Sequence, residues 1–319
     1  MKKKNVKRKI PAVCVFPYLD RLIRRKRSAG KESTADLYRA SCNWLRKFRG
    51  NDKLLFSEIT PALVDGFYSF LCSQEYLATN SINSYMSNFR AMYNIAVREE
   101  MALPPAVHPF AHLTLHAGKT VKRAIRLETI KEIASMDMKD EPGLETARDY
   151  CIFSFLGCGI PFVDLSHLTH DNIVGEELVY NRIKTGTLIR VRITSGMRYI
   201  LGKYVSSESP YLFPALTLAE GKSSHEAYKR DLRQYNLNLQ AIGERLSVPV
   251  TLTSYVFRHT WATEALRCHT PVAVISQALG HTSEKTTRNY LASLDQSELD
   301  AANRIVTREV DCLMRGRRA

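Results

Sequence analysis

Apolar positions recur at helical spacing in three early segments of the chain. From Ser33, the residues Leu37, Ala40, Trp44 and Phe48 fall on one face, and Gly50-Asn51 ends the run. A second helix opens with Thr60 as its N-cap and Pro61 at its first position, turning Val64, Phe67 and Leu71 inward. After Thr79-Asn80 a third carries the wide stripe Ile82, Tyr85, Met86, Phe89, Met92, Tyr93 and Ala96. Together they predict a small all-helical domain. Periodicity then weakens from Leu103 to Thr120, where Pro104, Pro105, Pro109 and Gly118 punctuate the chain, which predicts a linker. His108, His112 and His116 stand four apart within it, but Pro109 breaks the helix that a metal-binding face needs, so they are read as linker histidines.

Helical spacing resumes around Ile130 to Met136 and Thr146 to Leu156. Alternating segments Glu177 to Tyr180 and Leu188 to Thr194 flank Lys184-Thr-Gly-Thr and read as a β-hairpin. Helices dominate again from about Ser224. Thr253 or Ser254 caps a helix running to about Arg267, which puts Tyr255 and Arg258 on one face. Thr270-Pro271 opens the next, lined by Val272, Ile275 and Leu279 and stopped by Gly280 in a C-terminal cap position. His281 follows at that corner, and Thr282 or Ser283 starts a helix that presents Tyr290 about two turns in. A last stripe, Leu299, Ala302, Val306, Val310 and Leu313, is expected to pack on its own domain or on a neighbouring copy.

The expected fold is mainly α with a small antiparallel β-hairpin or sheet. Its expected organisation is a basic tail over residues 1–13, a helical domain over 14–102, a linker over 103–125, a second domain over 126–300 and a C-terminal helix and tail over 301–319. The length of 319 residues agrees with two cores, each large enough to be stable alone.

Charge narrows the partner. The formal net charge is +14, from 46 Lys and Arg against 32 Asp and Glu, which favours a polyanion, with nucleic acid ahead of an anionic membrane. Arg46, Lys47, Arg49, Lys53, Arg90 and Arg98 on the helical domain either lie over a DNA backbone or form a solvated face, and charge alone does not decide. The seven cysteines are scattered without a Cys-x-x-Cys pair, so neither a disulfide framework nor a zinc cluster is expected. Pro11 and Pro17 interrupt the apolar start and arginines follow at once, so the chain is expected to be cytoplasmic, with no membrane partner.

The candidate chemistry lies in the order Arg258, His281, Tyr290, at intervals of 23 and 9 residues. Transfer at a DNA phosphodiester needs an in-line nucleophile, cations at the non-bridging oxygens and an acid for the leaving 5′-oxygen. A tyrosine nucleophile stores the bond energy in a phosphotyrosyl ester, so no nucleotide cofactor is required, and the chain has no Gly-x-x-x-x-Gly-Lys-Ser/Thr motif.

In this order the motifs resemble the tyrosine recombinase (phage integrase) family, over roughly residues 14 to 300. The family's His-x-x-Arg-His, Leu-Gly-His and tyrosine meet Tyr255-Val-Phe-Arg258-His259, Leu279-Gly280-His281 and Tyr290. Its hairpin lysine meets Arg182-Ile-Lys184-Thr-Gly, and the helical domain, with Ile59-Thr-Pro and Ser81-Ile-Asn-Ser-Tyr before Asn94-Ile-Ala, is similar to its SAM-like core-binding domain. The resemblance implies that Tyr290 attacks the scissile phosphate, Arg258 and His281 bind its oxygens and Lys184 protonates the leaving 5′-hydroxyl, without cofactor or metal. It also implies double-stranded DNA as partner, self-association into a tetramer on paired sites, and room for a DNA-bending accessory protein. The two domains are expected to form a basic clamp on DNA.

Two departures stand out. Pro161, within Gly159-Ile160-Pro161-Phe162-Val163-Asp164-Leu165, takes the place of the family's first catalytic arginine. Relatives from conjugative transposons and invertible DNA also lack that arginine and carry one on the hairpin, which here matches Arg182. Tyr255 stands where the family usually has histidine, and can donate to phosphate but accepts protons poorly. A site-specific recombinase leads; a catalytically silent DNA-binding accessory protein and a type IB topoisomerase-like enzyme stay open as alternatives.

Overall fold

The computed structural model describes residues 13–102, 106–116, 118, 124–204, 209–214, 224–291, 303–304 and 306–308. The chain divides into two compact units, Met1–Val121 and Lys122–Ala319.

The first unit contains helices α1 (Val15–Ser28), α2 (Glu32–Arg49), α3 (Pro61–Cys72) and α4 (Thr79–Arg98). Sequence periodicity does not anticipate α1. Pro17 falls in its first turn, where the backbone N–H has no helical acceptor, so the proline leaves the helix intact and Phe16, Leu19 and Leu22 reach the core. Helix α2 packs on both α1 and α4 and buries Ala35, Tyr38, Cys42 and Leu45. That face is rotated from the expected one: Leu37 is 46% exposed, while Trp44 and Phe48 are half-buried at its edge. Thr60 caps α3 as predicted, its hydroxyl oxygen accepting from the Leu63 N–H at 3.3 Å. The α4 stripe buries Ile82, Met86, Phe89, Met92, Tyr93 and Ala96.

Within the stretch expected as a linker, the described residues 106–116 pack on this unit. Phe110 meets Phe89 edge to face at 5.1 Å, and His108 Nε2 lies 2.9 Å from Asn94 Oδ1. Prolines prevent a helix there without preventing burial. Part of the basic surface is also committed internally, since Arg46 bridges Asp20 at 2.6 Å and Asp52 at 2.9 Å.

The second unit runs α5 (Leu127–Ser135), α6 (Pro142–Leu156), α7 (Phe162–Leu165), β1 (Ile173–Val174), β2 (Glu177–Asn181), β3 (Leu188–Arg192), α8 (Ser195–Tyr204), α9 (Ser224–Glu244), α10 (Val256–Arg267), α11 (Val272–Ala278) and α12 (Glu284–Leu291). Helix α6 packs against α5, α8, α9 and α10 and buries Tyr150, Cys151 and Phe153. The predicted hairpin pairs Asn181 with Leu188 and Leu178 with Val191, and β1 extends it to a three-stranded antiparallel sheet. Its inner face is Leu178, Tyr180, Ile189 and Val191, alternating as a half-buried sheet requires. Thr194 ends the expected strand but serves the next helix: its Oγ1 accepts from the Met197 N–H at 3.2 Å.

The architecture is therefore mainly helical with one small antiparallel sheet. Of the C-terminal stripe, Val306 is 79% exposed, and Leu299, Ala302, Val310 and Leu313 lie outside the described residues, as do both basic tails. Among the described residues, no helix is long and apolar enough to cross a membrane.

Candidate active site

Helix α10 begins without the predicted side-chain cap. Tyr255 is its N-cap residue, and the Val256 N–H bonds the Thr253 carbonyl at 3.0 Å. This start turns Arg258 inward, to 2% exposure, and leaves Tyr255 39% exposed with its ring edge-on to His259 at 5.4 Å. Tyr255 and Arg258 thus differ sharply in burial although three residues apart.

The Arg258 guanidinium donates to the Gly159 carbonyl at 2.8 Å and to the Leu279 carbonyl, and lies 3.3 Å from His281 Nε2. Arg182 follows directly on β2 and is also buried, at 5% exposure. It donates to the same Leu279 carbonyl at 2.9 Å and, through Nε, to Asp164 at 3.2 Å. The Asp164 side chain is 0% exposed, and its second oxygen accepts from the Ile183 N–H at 2.9 Å. Two guanidiniums from distant segments thereby share one main-chain acceptor, and their described partners include a single carboxylate. Two buried guanidiniums on one carbonyl gather positive charge at this corner, which favours an anion there.

Two glycines make this approach possible. Gly280 has φ +62°, and a Cβ there would sit 2.5 Å from Arg182 Cδ. Gly159 has φ +73°, and its Cβ would sit 2.8 Å from Arg258 Cα. Only glycine takes both the left-handed backbone and the missing volume at little cost.

His281 follows Gly280 at the corner between α11 and α12, its N–H bonding the Ser276 carbonyl at 3.0 Å. Its Nδ1 lies 2.8 Å from Thr287 Oγ1 on α12. Burial first, then the charges of Arg258, Arg182 and Lys184, push its pKa down from 6.5 to about 4. The ring is therefore neutral at neutral pH and sits in a positive field. Lys184 is exposed in the hairpin turn, closed by the Arg182 N–H to the Thr187 carbonyl at 2.9 Å. Tyr290 stands in the last turn of α12, with its side chain outside the described residues.

Pro161 supplies no side-chain charge, but its carbonyl accepts the Asp164 and Leu165 N–H groups at 2.9 Å each and so starts the short helix that carries Asp164. The structure brings together Arg258, Arg182 and His281 directly and Lys184 through its field. Asp164 could be found in the sequence only as part of an Asp-Leu pair, with nothing to tie it to Arg182. Thr287 gave no chemical signal beyond standing three residues before Tyr290, and the Leu279 carbonyl gave none.

Residues 14–108 match the phage integrase SAM-like domain, and residues 124–297 match the phage integrase family. The chain belongs to the phage integrase family. The tyrosine recombinase XerC of Leptospira interrogans is 21% identical over 265 residues, spanning 82% of this chain and 83% of the relative. A tyrosine recombinase of Pseudothermotoga lettingae is 29% identical over 185 residues, 56% of this chain and 58% of that one. In structure, a lambda integrase dimer bound to a COC′ core site aligns with a TM-score of 0.61 at 18% identity, covering 87% of this chain and 95% of that one. The Tn1549 transposon integrase in complex with a circular intermediate DNA aligns with a TM-score of 0.61 at 15% identity, covering 92% and 99%. This phage integrase family chain thus has the fold of those enzymes, with the arginine pair, His281 and the start of α12 gathered at one corner of its catalytic unit.

Proposed function

We propose that this tyrosine recombinase family protein is a site-specific DNA recombinase acting through a 3′-phosphotyrosyl intermediate. The observation that carries the reading is the pair of buried arginines on the Leu279 carbonyl, with His281 beside them and the helix of Tyr290 starting directly after. The Tyr290 oxygen attacks phosphorus and gives up its phenolic proton to solvent, the bond to the 5′-oxygen breaks, and Lys184 gives that oxygen its proton. Arg258, Arg182 and His281 bind the non-bridging oxygens as charge builds there. The 5′-hydroxyl of the partner strand then attacks the phosphotyrosine, restoring Tyr290 and closing a new phosphodiester without a cofactor.

In this reading Arg182 supplies the charge that Pro161 cannot, which places the protein with the conjugative-transposon and DNA-invertase branch. Tyr255 adds a hydrogen bond to phosphate at the rim. Both units grip duplex DNA, and protomers pair on two sites as a tetramer; a lambda integrase tetramer bound to a Holliday junction is similar in fold. The relative placement of the two sites decides between integration, excision and inversion, and a DNA-bending protein can assist by shaping them.

The test is trapping on a nicked suicide duplex carrying candidate sites, with wild type against Tyr290→Phe on a denaturing gel. A covalent band in wild type alone is expected. Specific shifted complexes that never become covalent would instead favour a silent DNA-binding protein, and relaxation of plasmids without a cognate site a topoisomerase.

A further inference from the structure

Helix α12 is eight residues long, too short to hold itself in water, so its placement depends on what it buries. Glu284, Lys285, Thr286 and Arg288 are exposed, whereas Thr287 has 0% exposure. Its hydroxyl lies 2.8 Å from His281 Nδ1, and the other ring nitrogen lies 3.3 Å from the Arg258 guanidinium. A guanidinium only donates, so the lone pair belongs on Nε2 and the proton on Nδ1, where Thr287 accepts it. Thr287 also precedes Tyr290 by three residues and so shares its side of the helix. One hydroxyl thus joins the helix of Tyr290 to the ring that faces the arginines.

We propose that Thr287 is a positioning residue for DNA cleavage: it holds His281 with Nε2 aimed at the phosphate site and keeps the helix of Tyr290 in register with that ring. This rests on the roles given above to His281 and Tyr290. With Nδ1–H already satisfied by Thr287, the ring takes up a proton from hydronium or buffer acid on Nε2 when the anionic phosphate arrives and donates it as a hydrogen bond without turning. Without the hydroxyl, Nδ1–H loses this acceptor while the guanidinium still favours the lone pair on Nε2, so the ring is no longer held in one orientation.

The test compares full-length wild type with Thr287→Val and Thr287→Ser. Nitrogen NMR of labelled histidine, without DNA, reads the His281 tautomer; gel shift reads binding; the nicked duplex reads covalent complex formation. Wild type and Thr287→Ser are expected to show the proton on Nδ1 with the shift of a hydrogen-bonded N–H, and Thr287→Val an Nδ1 signal moved by the loss of that bond. Thr287→Val should bind the site normally yet form the adduct about 10–100-fold more slowly, the range that follows from a reacting group displaced by up to about 1 Å. Thr287→Ser should retain most of the wild-type rate. If melting shows that the valine variant does not fold, Thr287→Ala removes the hydroxyl without new bulk and is read in the same way. An unchanged His281 Nδ1 signal or an unchanged adduct rate in the hydroxyl-free variant overturns the proposal, as does a serine variant as slow as the valine one. A wild type that shows the Nδ1 proton but forms no adduct sinks the recombinase reading instead, and with it the catalytic half of this one.

Discussion

Replacing Arg182 separates folding from chemistry. The Arg182→Ala protein leaves Asp164, with its side chain 0% exposed, holding only the Ile183 N–H among the described residues. Breaking a buried pair from one side costs about 3–5 kcal/mol. For a unit of the size of Lys122–Ala319, each kcal/mol lowers the melting temperature by about 2–4 °C, so a fall on the order of 10 °C is expected. Lost cleavage in that variant alone would therefore be ambiguous. The double variant Arg182→Met with Asp164→Leu removes both charges together, and similar exchanges of buried pairs for apolar residues are often neutral or stabilising. It should melt near wild type and yet form the phosphotyrosyl adduct about 10²–10³-fold more slowly, the usual cost of one preorganised charged donor. The assay is single-turnover adduct formation on a nicked duplex at saturating protein, beside thermal melts of all three proteins. A double variant that cleaves at the wild-type rate refutes the assignment of Arg182 to the phosphate.

Gly280→Ala should slow adduct formation more than tenfold and lower the melting temperature, because φ +62° costs an alanine about 1–2 kcal/mol and its Cβ meets Arg182 Cδ at 2.5 Å; normal kinetics would show that the corner yields without moving Arg182. His281 is held below its ordinary value of 6.5, at about 4, so the unfolded chain takes up a proton that the folded one refuses. Its contribution to stability is full above about pH 6.5 and is lost as pH falls toward 4, so wild type should lose more of its melting temperature over that window than His281→Gln, and equal losses would exclude the burial argument. Lys184 is exposed on the hairpin, so Lys184→Ala should melt like wild type while cleavage falls about 10²–10⁴-fold, as for a lost general acid. A substrate with sulfur as the bridging 5′-atom, which leaves without protonation, should restore most of that rate; no rescue would place Lys184 elsewhere in the reaction.

Periodicity located the helices that bury one continuous stripe, α3 and α4 among them, because their packing is one-sided. It misjudged α2, which is covered by α1 on one side and α4 on the other, so its core residues do not form the single face that Leu37 and Ala40 suggested. It passed over α1 because Pro17 reads as a breaker until its place in the first turn is known. In the site, residue types and spacing pointed to Arg258, His281 and Tyr290, and the family resemblance to Lys184 and Arg182, since motifs are written in side chains. What they could not show was the scaffold: the Asp164 contact spans 18 positions, and the Leu279 contact with Arg182 spans 97. The acceptor in the latter is a peptide oxygen, which every residue possesses.

That last point changes how the site can drift and be engineered. Any side chain at position 279 brings the same carbonyl, so no codon removes the joint between the two arginines. Mutational scans will therefore record the arginines as sensitive and remain blind to the atom that unites them. Chemical synthesis can reach it: glycolic acid in place of Gly280 turns the Leu279 amide into an ester whose oxygen is a poorer acceptor. The joint is inherited through the backbone path alone, and the glycine that permits that path is the nearest thing to a gene-encoded handle on it.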